Sequence, residues 1–268
     1  MIKLPNMNFP SLIVSKGRKA FKRMGKLFVK PKIVDVYIID TGVNCEADLL
    51  YDRIEEYWTI FPNPDDEIGH GTSVACVVAE WAPHAKLYPY KVIDSAANYS
   101  KADTELNLVL ALQNIRDNYK HENGNIITMS IDYLTRNSIN LLNDFVEDGF
   151  IVVMSAKNDG QYVPKSTLKI FWYIGAIAAD GSKEWYSNYG PGVAFYAKGT
   201  HKTLNHHNEY VEEIGTSFSS PYVAAYAART LRYKNYAQEK LGNKMRDATS
   251  SSYDETIKSW ALLSNSLE

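Results

Sequence analysis

The sequence predicts a three-layer α/β domain, a mostly parallel central sheet with helices on both faces. Three observations carry this expectation. Strand-sized apolar and β-branched runs alternate with segments of helical spacing from residue 33 to residue 232. The first run, IVDVYIID at 33–40, is apolar almost throughout, the mark of a strand covered on both sides. The chain of 268 residues, 45% of them hydrophobic and 22% charged, suffices for one good-sized core, and one domain is the default.

Residues 1–32 read as an extension of that domain, which would span 33–268. Pro5 and Pro10 interrupt the opening, and a basic, weakly amphipathic stretch with Ala20, Phe21, Met24, Leu27 and Phe28 precedes Pro31. Up to residue 34 the chain holds nine Lys or Arg and no acidic residue, leaving 20 basic and 31 acidic residues and a formal charge of −11 for the rest. Such an arm is a solvated tail, a self-docking segment on the acidic body, or a binder of nucleic acid or acidic membrane. The last is least favoured, because the aromatic spacing shows no stacking module.

The run 33–40 ends at Asp40-Thr41-Gly42, and in open α/β sheets ligands gather at the carboxyl ends of strands. A carboxylate there also serves simply to cap a turn. GHGTSVACVVAEWAP follows, with His70 between two glycines at the head of a helix whose small residues suit close packing. A buried histidine needs a partner for each ring nitrogen, and a satisfied core histidine is the plainer reading of it alone.

KLYPYKVI at 86–93 is strand-like, and Pro89 places it near an edge. Residues 103–119 read as a helix, 125–131 as a strand, 138–149 as a helix closed by glycine, and 150–156 and 169–179 as strands. GTSFSSPYVAAYAA begins a helix over 215–232, with Ser217 at its N-terminal end, where free N–H groups favour an anion. Pro221 fits a first helical turn there. Two amphipathic helical segments, about 235–247 and 253–263, close the chain.

The longest unbroken apolar runs are strand-sized, so no membrane span is expected. The N-terminus lacks the pattern of a secretory signal. Two cysteines, Cys45 and Cys76, make no disulfide scaffold, so a reducing compartment, the cytoplasm, is the expected location. Neither has metal-ligand company at a recognised spacing. Cys76 reads as a small core residue and Cys45 as a partly exposed thiol near the Asp40 turn, while adjacent His206 and His207 read as loop residues.

IIDTG, HGTSVA and GTSFSSP, in that order, resemble the three active-site motifs of the subtilisin-like serine proteases. WAPHAKLYPYKV, ITMSI, EDGFIVVMSAKNDG and YSNYGPGVAFYAKGT resemble further blocks of that family, and the resemblance covers roughly residues 33–232. It implies a subtilisin-like fold and a serine endopeptidase acting on proteins or peptides. Ser217 would be the nucleophile, His70 the general base and Asp40 its orienting carboxylate. Asn158, otherwise a turn residue in an Asn-Asp-Gly loop, would donate to the oxyanion with the Ser217 N–H.

Departures from the family pattern also count. The edge that pairs with extended substrate is here Ser130-Ile131-Asp132, with aspartate at a glycine position, and Lys157 follows Ala156 where a small residue is expected. Both border the primary specificity pocket. Asp132 would either select a basic substrate side chain or pair with Lys157 and narrow the pocket. The calcium-binding loop of many relatives is missing, since VVAEWAPHAKL runs straight through and Asp48 stands without it. No cofactor and no strong calcium site of that type are expected.

Secreted relatives carry a folding prodomain far longer than 32 residues, whereas intracellular ones use a short extension able to block the site, and residues 1–32 match the second pattern. A non-catalytic subtilisin-like module that binds a peptide or protein is the rival reading, favoured by Asp132 and Lys157 and opposed by the intact set Asp40, His70, Asn158 and Ser217. An α/β-hydrolase esterase would need GxSxG and the order Ser, Asp, His, and the chain has neither.

Overall fold

Strand β1 (Val34–Asp40) is buried at every position, because both of its faces are covered. Val34, Val36 and Ile38 enter one core while Tyr37 and Ile39 enter another, the two-residue alternation of a strand. These features belong to a computed structural model that describes residues 31–94, 101–131, 134–165, 171–234, 236–248, 253–254 and 259–260. The chain divides into two units, Met1–Pro31 and Lys32–Glu268, and the sheet with its covering helices lies in the second.

Six further strands complete the sheet: β2 (Trp58–Thr59), β3 (Lys86–Lys91), β4 (Gly124–Met129), β5 (Ile151–Ser155), β6 (Trp172–Ile177) and β7 (Phe195–Lys198). Their order is β2-β3-β1-β4-β5-β6-β7, and every neighbouring pair is parallel. The chain leaves β1 for one side of the sheet and later returns to the other. The carboxyl end of β1 therefore lies at a switch point of the topology, where such sheets open a crevice. In keeping with Pro89, β3 is one strand from the edge, and β2 pairs only with Tyr90 and Lys91.

Helices α1 (His70–Trp81) and α4 (Thr216–Leu231) cover one face, and α2 (Lys101–Asn118) and α3 (Arg136–Glu147) the other. Small side chains at Ala75, Cys76, Ala79, Ala224, Ala225, Ala227 and Ala228, all 0–3% exposed, let α1 and α4 lie close to each other and to the sheet. The second face uses larger groups, with Leu108, Leu112, Leu142, Phe145 and Phe150 fully buried. Among the described residues no helix is long and apolar enough to cross a membrane.

The structure departs from the sequence expectation in three places. The segment 195–214 forms β7 and then a hairpin of β8 (Thr200–Leu204) and β9 (Tyr210–Ile214), with His206 and His207 in its turn. Within the segment 253–263, expected as a helix, the described residues instead form two-residue strands, β10 (Tyr253–Asp254) and β11 (Ser259–Trp260), which pair antiparallel, while 255–258 and 261–263 lie outside the described residues. Ser, Tyr, Asp and Thr in that stretch are weak helix formers. The helix before it, α5 (Gln238–Ala248), matches the expected segment.

Pro221 is the third correction. It lies in the second turn of α4, not the first, so its missing N–H leaves the Ser217 carbonyl without its helical donor. Ser130, just beyond β4, supplies that donor: its Oγ–H reaches the Ser217 carbonyl at 2.9 Å and its Oγ lies 3.0 Å from Ser220 Oγ.

Candidate active site

Asp40 is the last residue of β1 and only 1% exposed, so its carboxylate needs donors from nearby. Its Oδ1 accepts the Thr41 N–H at 2.8 Å and lies 2.6 Å from His70 Nδ1. That bond assigns the His70 tautomer, with the proton on Nδ1 and Nε2 left as the outward nitrogen when the ring is neutral. The ring is 31% exposed and lies against Phe218, with centroids 5.6 Å apart. Burial lowers the imidazole's pKa, but the charge and hydrogen bond of Asp40, helped by Glu213 and Asp66, more than reverse this and raise it from 6.5 to about 9.

The head of α1 is anchored by a carboxylate that the sequence motifs do not mark. Asp66, 4% exposed, accepts the Gly69 N–H at 2.9 Å and the Thr72 N–H at 2.9 Å, and also the hydroxyls of Thr41 at 2.8 Å and Thr72 at 2.6 Å. Asp66 stands three residues before the Gly69 N-cap, outside the positions that signal a helix start, and within Asp65-Asp66-Glu67 it reads as a solvated turn. Gly71 is required by close approach, since a Cβ there would lie 2.1 Å from the Gly42 carbonyl oxygen.

Ser217 is the second residue of α4 and half-buried. Its backbone N–H belongs to a first turn whose donors have no intrahelical acceptor. The preceding Gly215 has φ 146°, a conformation that disfavours side chains. Asn158 ties the loop after β5 to this turn, its Oδ1 accepting both the Thr216 N–H and the Thr216 hydroxyl at 2.9 Å. Those two donors fix the amide's orientation and leave Nδ2 as its donor end. A Cβ on Gly215 would sit 3.3 Å from that nitrogen, so Nδ2 lies beside the head of α4.

Asp40 and His70 are thus joined directly, and Asn158 is joined to the turn that carries Ser217. Among the described residues no hydrogen bond links Ser217 Oγ to His70. In ligand-free enzymes such bonds are often long and tighten only with substrate.

Of the substrate-edge residues, Ile131, Ala156 and Lys157 line two adjoining cavities and Ser130 is turned to α4. Ala156, Lys157, Asp159, Tyr162 and Tyr173 border one of about 380 Å³, and Ile131, Met154, Ser155, Lys157 and Tyr173 one of about 230 Å³. Lys157 has φ 76°, a left-handed conformation that a glycine would adopt more readily. Asp132, and with it any Asp132–Lys157 pair, lies outside the described residues. A larger cavity of about 770 Å³, lined by Glu80, Trp81, His84, Arg229 and Arg232, sits at the C-terminal ends of α1 and α4, away from the heads that carry His70 and Ser217.

Cys76 is fully buried, which pushes its thiol up to about 12, the behaviour of a core residue. Cys45 is exposed as expected, but burial of its thiol and the Glu46 charge raise its pKa, so it is not an activated nucleophile. The link from α1 to β3 is only residues 82–85, and the Asp48 N–H donates to Asn208 Oδ1 at 2.9 Å. Among the described residues no three His, Cys, Asp or Glu side chains converge to hold a metal ion.

A doubly wound parallel α/β protein, with an Asp–His pair at the switch point and a serine heading the adjacent buried helix, is the class this fold and site define. The chain belongs to the subtilase family, peptidase family S8, whose profile matches residues 32–260. It is 28% identical over 228 residues to the thermostable alkaline protease of Halalkalibacterium halodurans, covering 78% of this chain and 60% of that one. It is 25% identical over 219 residues to the minor extracellular protease Epr of Bacillus subtilis, covering 76% of this chain and 33% of that one. The chain therefore spans 60% or less of the length of these relatives.

Among solved structures, a cold adapted subtilisin-like serine proteinase matches with a TM-score of 0.74 at 20% identity, over 86% of this chain and 88% of that one. A lanthipeptide protease matches with a TM-score of 0.70 at 18% identity, over 87% and 86%. At these identities the structures speak for the fold.

Proposed function

We propose that the protein is a serine endopeptidase that cleaves peptide bonds through an acyl-enzyme. The observation that carries this reading is the 2.6 Å contact of Asp40 Oδ1 with His70 Nδ1, which turns Nε2 outward on the ring that lies against Phe218, the residue next to Ser217. A serine hydroxyl is a poor nucleophile at neutral pH and needs such an oriented base. His70 Nε2 takes the Ser217 proton as Oγ attacks the substrate carbonyl. Asn158 Nδ2–H and the Ser217 N–H donate to the oxyanion, with Asp40 stabilising the imidazolium. His70 then gives the proton to the leaving amine, and water, deprotonated by the same imidazole, attacks the ester to release the acid and restore Ser217.

The substrate is a protein or peptide, laid beside Ser130-Ile131-Asp132, with a side chain entering the cavities that Lys157 borders. No step of this acyl transfer calls on a metal. Calcium added to chelated protein is expected to give no heat of binding at a strong site by calorimetry. Two free cysteines support a reducing compartment, the cytoplasm.

Labelling with a fluorophosphonate probe tests the reading. The full chain is expected to label, and Ser217→Ala and His70→Ala are expected not to. A folded full-length chain and a folded form without residues 1–32 that both fail to label would replace it with a non-catalytic module that binds a peptide or protein.

A further inference from the structure

Asp66 is a buried carboxylate to which no part of the acyl-transfer chemistry above assigns a role. Its four accepted hydrogen bonds join three pieces of chain: Thr41 beside Asp40, Gly69 beside His70, and Thr72 in the first turn of α1. Both hydroxyl protons point at Asp66, which leaves each hydroxyl oxygen free to accept. Thr41 Oγ1 accepts the Gly71 N–H at 2.9 Å, and Thr72 Oγ1 accepts the Asn44 N–H at 2.9 Å. The loop after β1 and the head of α1 are thereby stitched together twice, and the carboxylate sets the polarity of both stitches.

The loop that carries Asp66 is itself fastened. Lys91, at the end of β3 and 1% exposed, donates through Nζ to the carbonyls of Asn63 at 3.0 Å and Asp65 at 2.7 Å and pairs with Asp94 at 2.8 Å. A buried ammonium with three oxygen partners resists displacement, because moving any partner leaves charge unpaired.

We infer that Asp66 is the positioning residue of this site: it holds the Asp40 loop and the His70 helix in the register that lets the imidazole serve Ser217. The inference rests on the serine-peptidase reading for its catalytic consequence, and on the hydrogen-bond geometry alone for the register of the pair. An amide in place of this carboxylate would still accept on one side, but its N–H₂ would face two of the four donors. The charged groups that face His70 are Asp40 from β1, Asp66 from its own loop and Glu213 from β9, while His206, in the β8–β9 turn, borders Gly69.

The test uses the full chain as wild type, Asp66→Asn and Thr41→Val. The second variant cuts one stitch while leaving the carboxylate and its other three bonds. Three quantities are read: thermal stability, the titration midpoint of the His70 ring by NMR, and the rate of fluorophosphonate labelling per folded molecule.

Asp66→Asn is expected to fold, to lower the His70 midpoint through loss of a nearby charge, and to slow labelling by roughly tenfold or more on the alkaline plateau, where the ring is neutral in both forms. Thr41→Val is expected to slow labelling in the same direction by a smaller factor. A folded Asp66→Asn whose plateau labelling rate is unchanged would overturn the inference, whatever its midpoint, and leave Asp66 a purely structural group. Should Asp66→Asn not fold, Thr41→Val decides: slowed labelling by folded protein supports the inference, and an unchanged rate overturns it. If wild type does not label, the serine-peptidase reading fails, and the uncharged change Thr41→Val decides the register: a shifted His70 midpoint supports the inference and an unchanged one overturns it.

Discussion

His70 carries two opposed pH dependences. Its pKa in the folded chain, about 9, lies above its ordinary value of 6.5, so the Asp40–His70 pair contributes stability that is complete below pH 6.5 and lost as pH rises through 9. In the proposed mechanism activity runs the other way, because only the neutral imidazole accepts the Ser217 proton. Labelling should therefore rise about tenfold per pH unit and level off near pH 9. Thermal denaturation over the same range should show stability falling as activity climbs, a crossing that Asp40→Asn would abolish.

The proposed mechanism separates two roles of Asn158 by atom, with Oδ1 accepting from Thr216 and Nδ2, beside Gly215 at the head of α4, donating to the oxyanion. Asn158→Asp keeps the acceptor and replaces the donor with an anion, so it should cost about 10²–10³ in kcat while sparing stability. Asn158→Ala loses both, and its melting temperature should fall as well. Steady-state kinetics beside thermal melts would check the split.

At the scale of elements, the head of α4 depends on a strand end. Pro221 deprives the Ser217 carbonyl of its helical donor and Ser130 replaces it. Ser130→Ala should thus cost about 1–3 kcal/mol, the penalty for stranding a half-buried acceptor, and denaturant titration measures it. Both central helices, their small-residue faces and the strand ends that carry Asp40 and Ser130 are legible in the sequence, because periodicity and glycine punctuation are local signals. The stitch between them is not. Asp66 stands in an acidic run whose plain reading is exposure, and only the fold brings Thr41, Gly69 and Thr72 around it. The β8–β9 hairpin escapes for a related reason: β9 alternates exposed and half-buried residues with two glutamates, a pattern no core imposes. Pro221 reads one turn too early because the helix start, and not the proline, fixes its position.

For the whole molecule the largest asymmetry is charge. Residues 1–32 carry nine basic side chains and no acidic one, while acidic residues exceed basic ones by 31 to 20 in the remainder. Attraction between an arm and a body of opposite sign is long-ranged at low salt and screened beyond about 8 Å at physiological ionic strength. An arm that blocks the cleft by this attraction makes two linked predictions. Deleting residues 1–32 should speed fluorophosphonate labelling at low salt, and adding salt to the full chain should speed it toward the same rate. The truncated form should then respond little to salt, since the attraction has gone with the arm. A full chain that labels as fast as the truncated one at every salt concentration would assign the arm to targeting or to a partner. Faster labelling on truncation without a salt effect on the full chain would keep the blockade but place its hold in apolar contacts of Phe21, Leu27 and Phe28 rather than in charge.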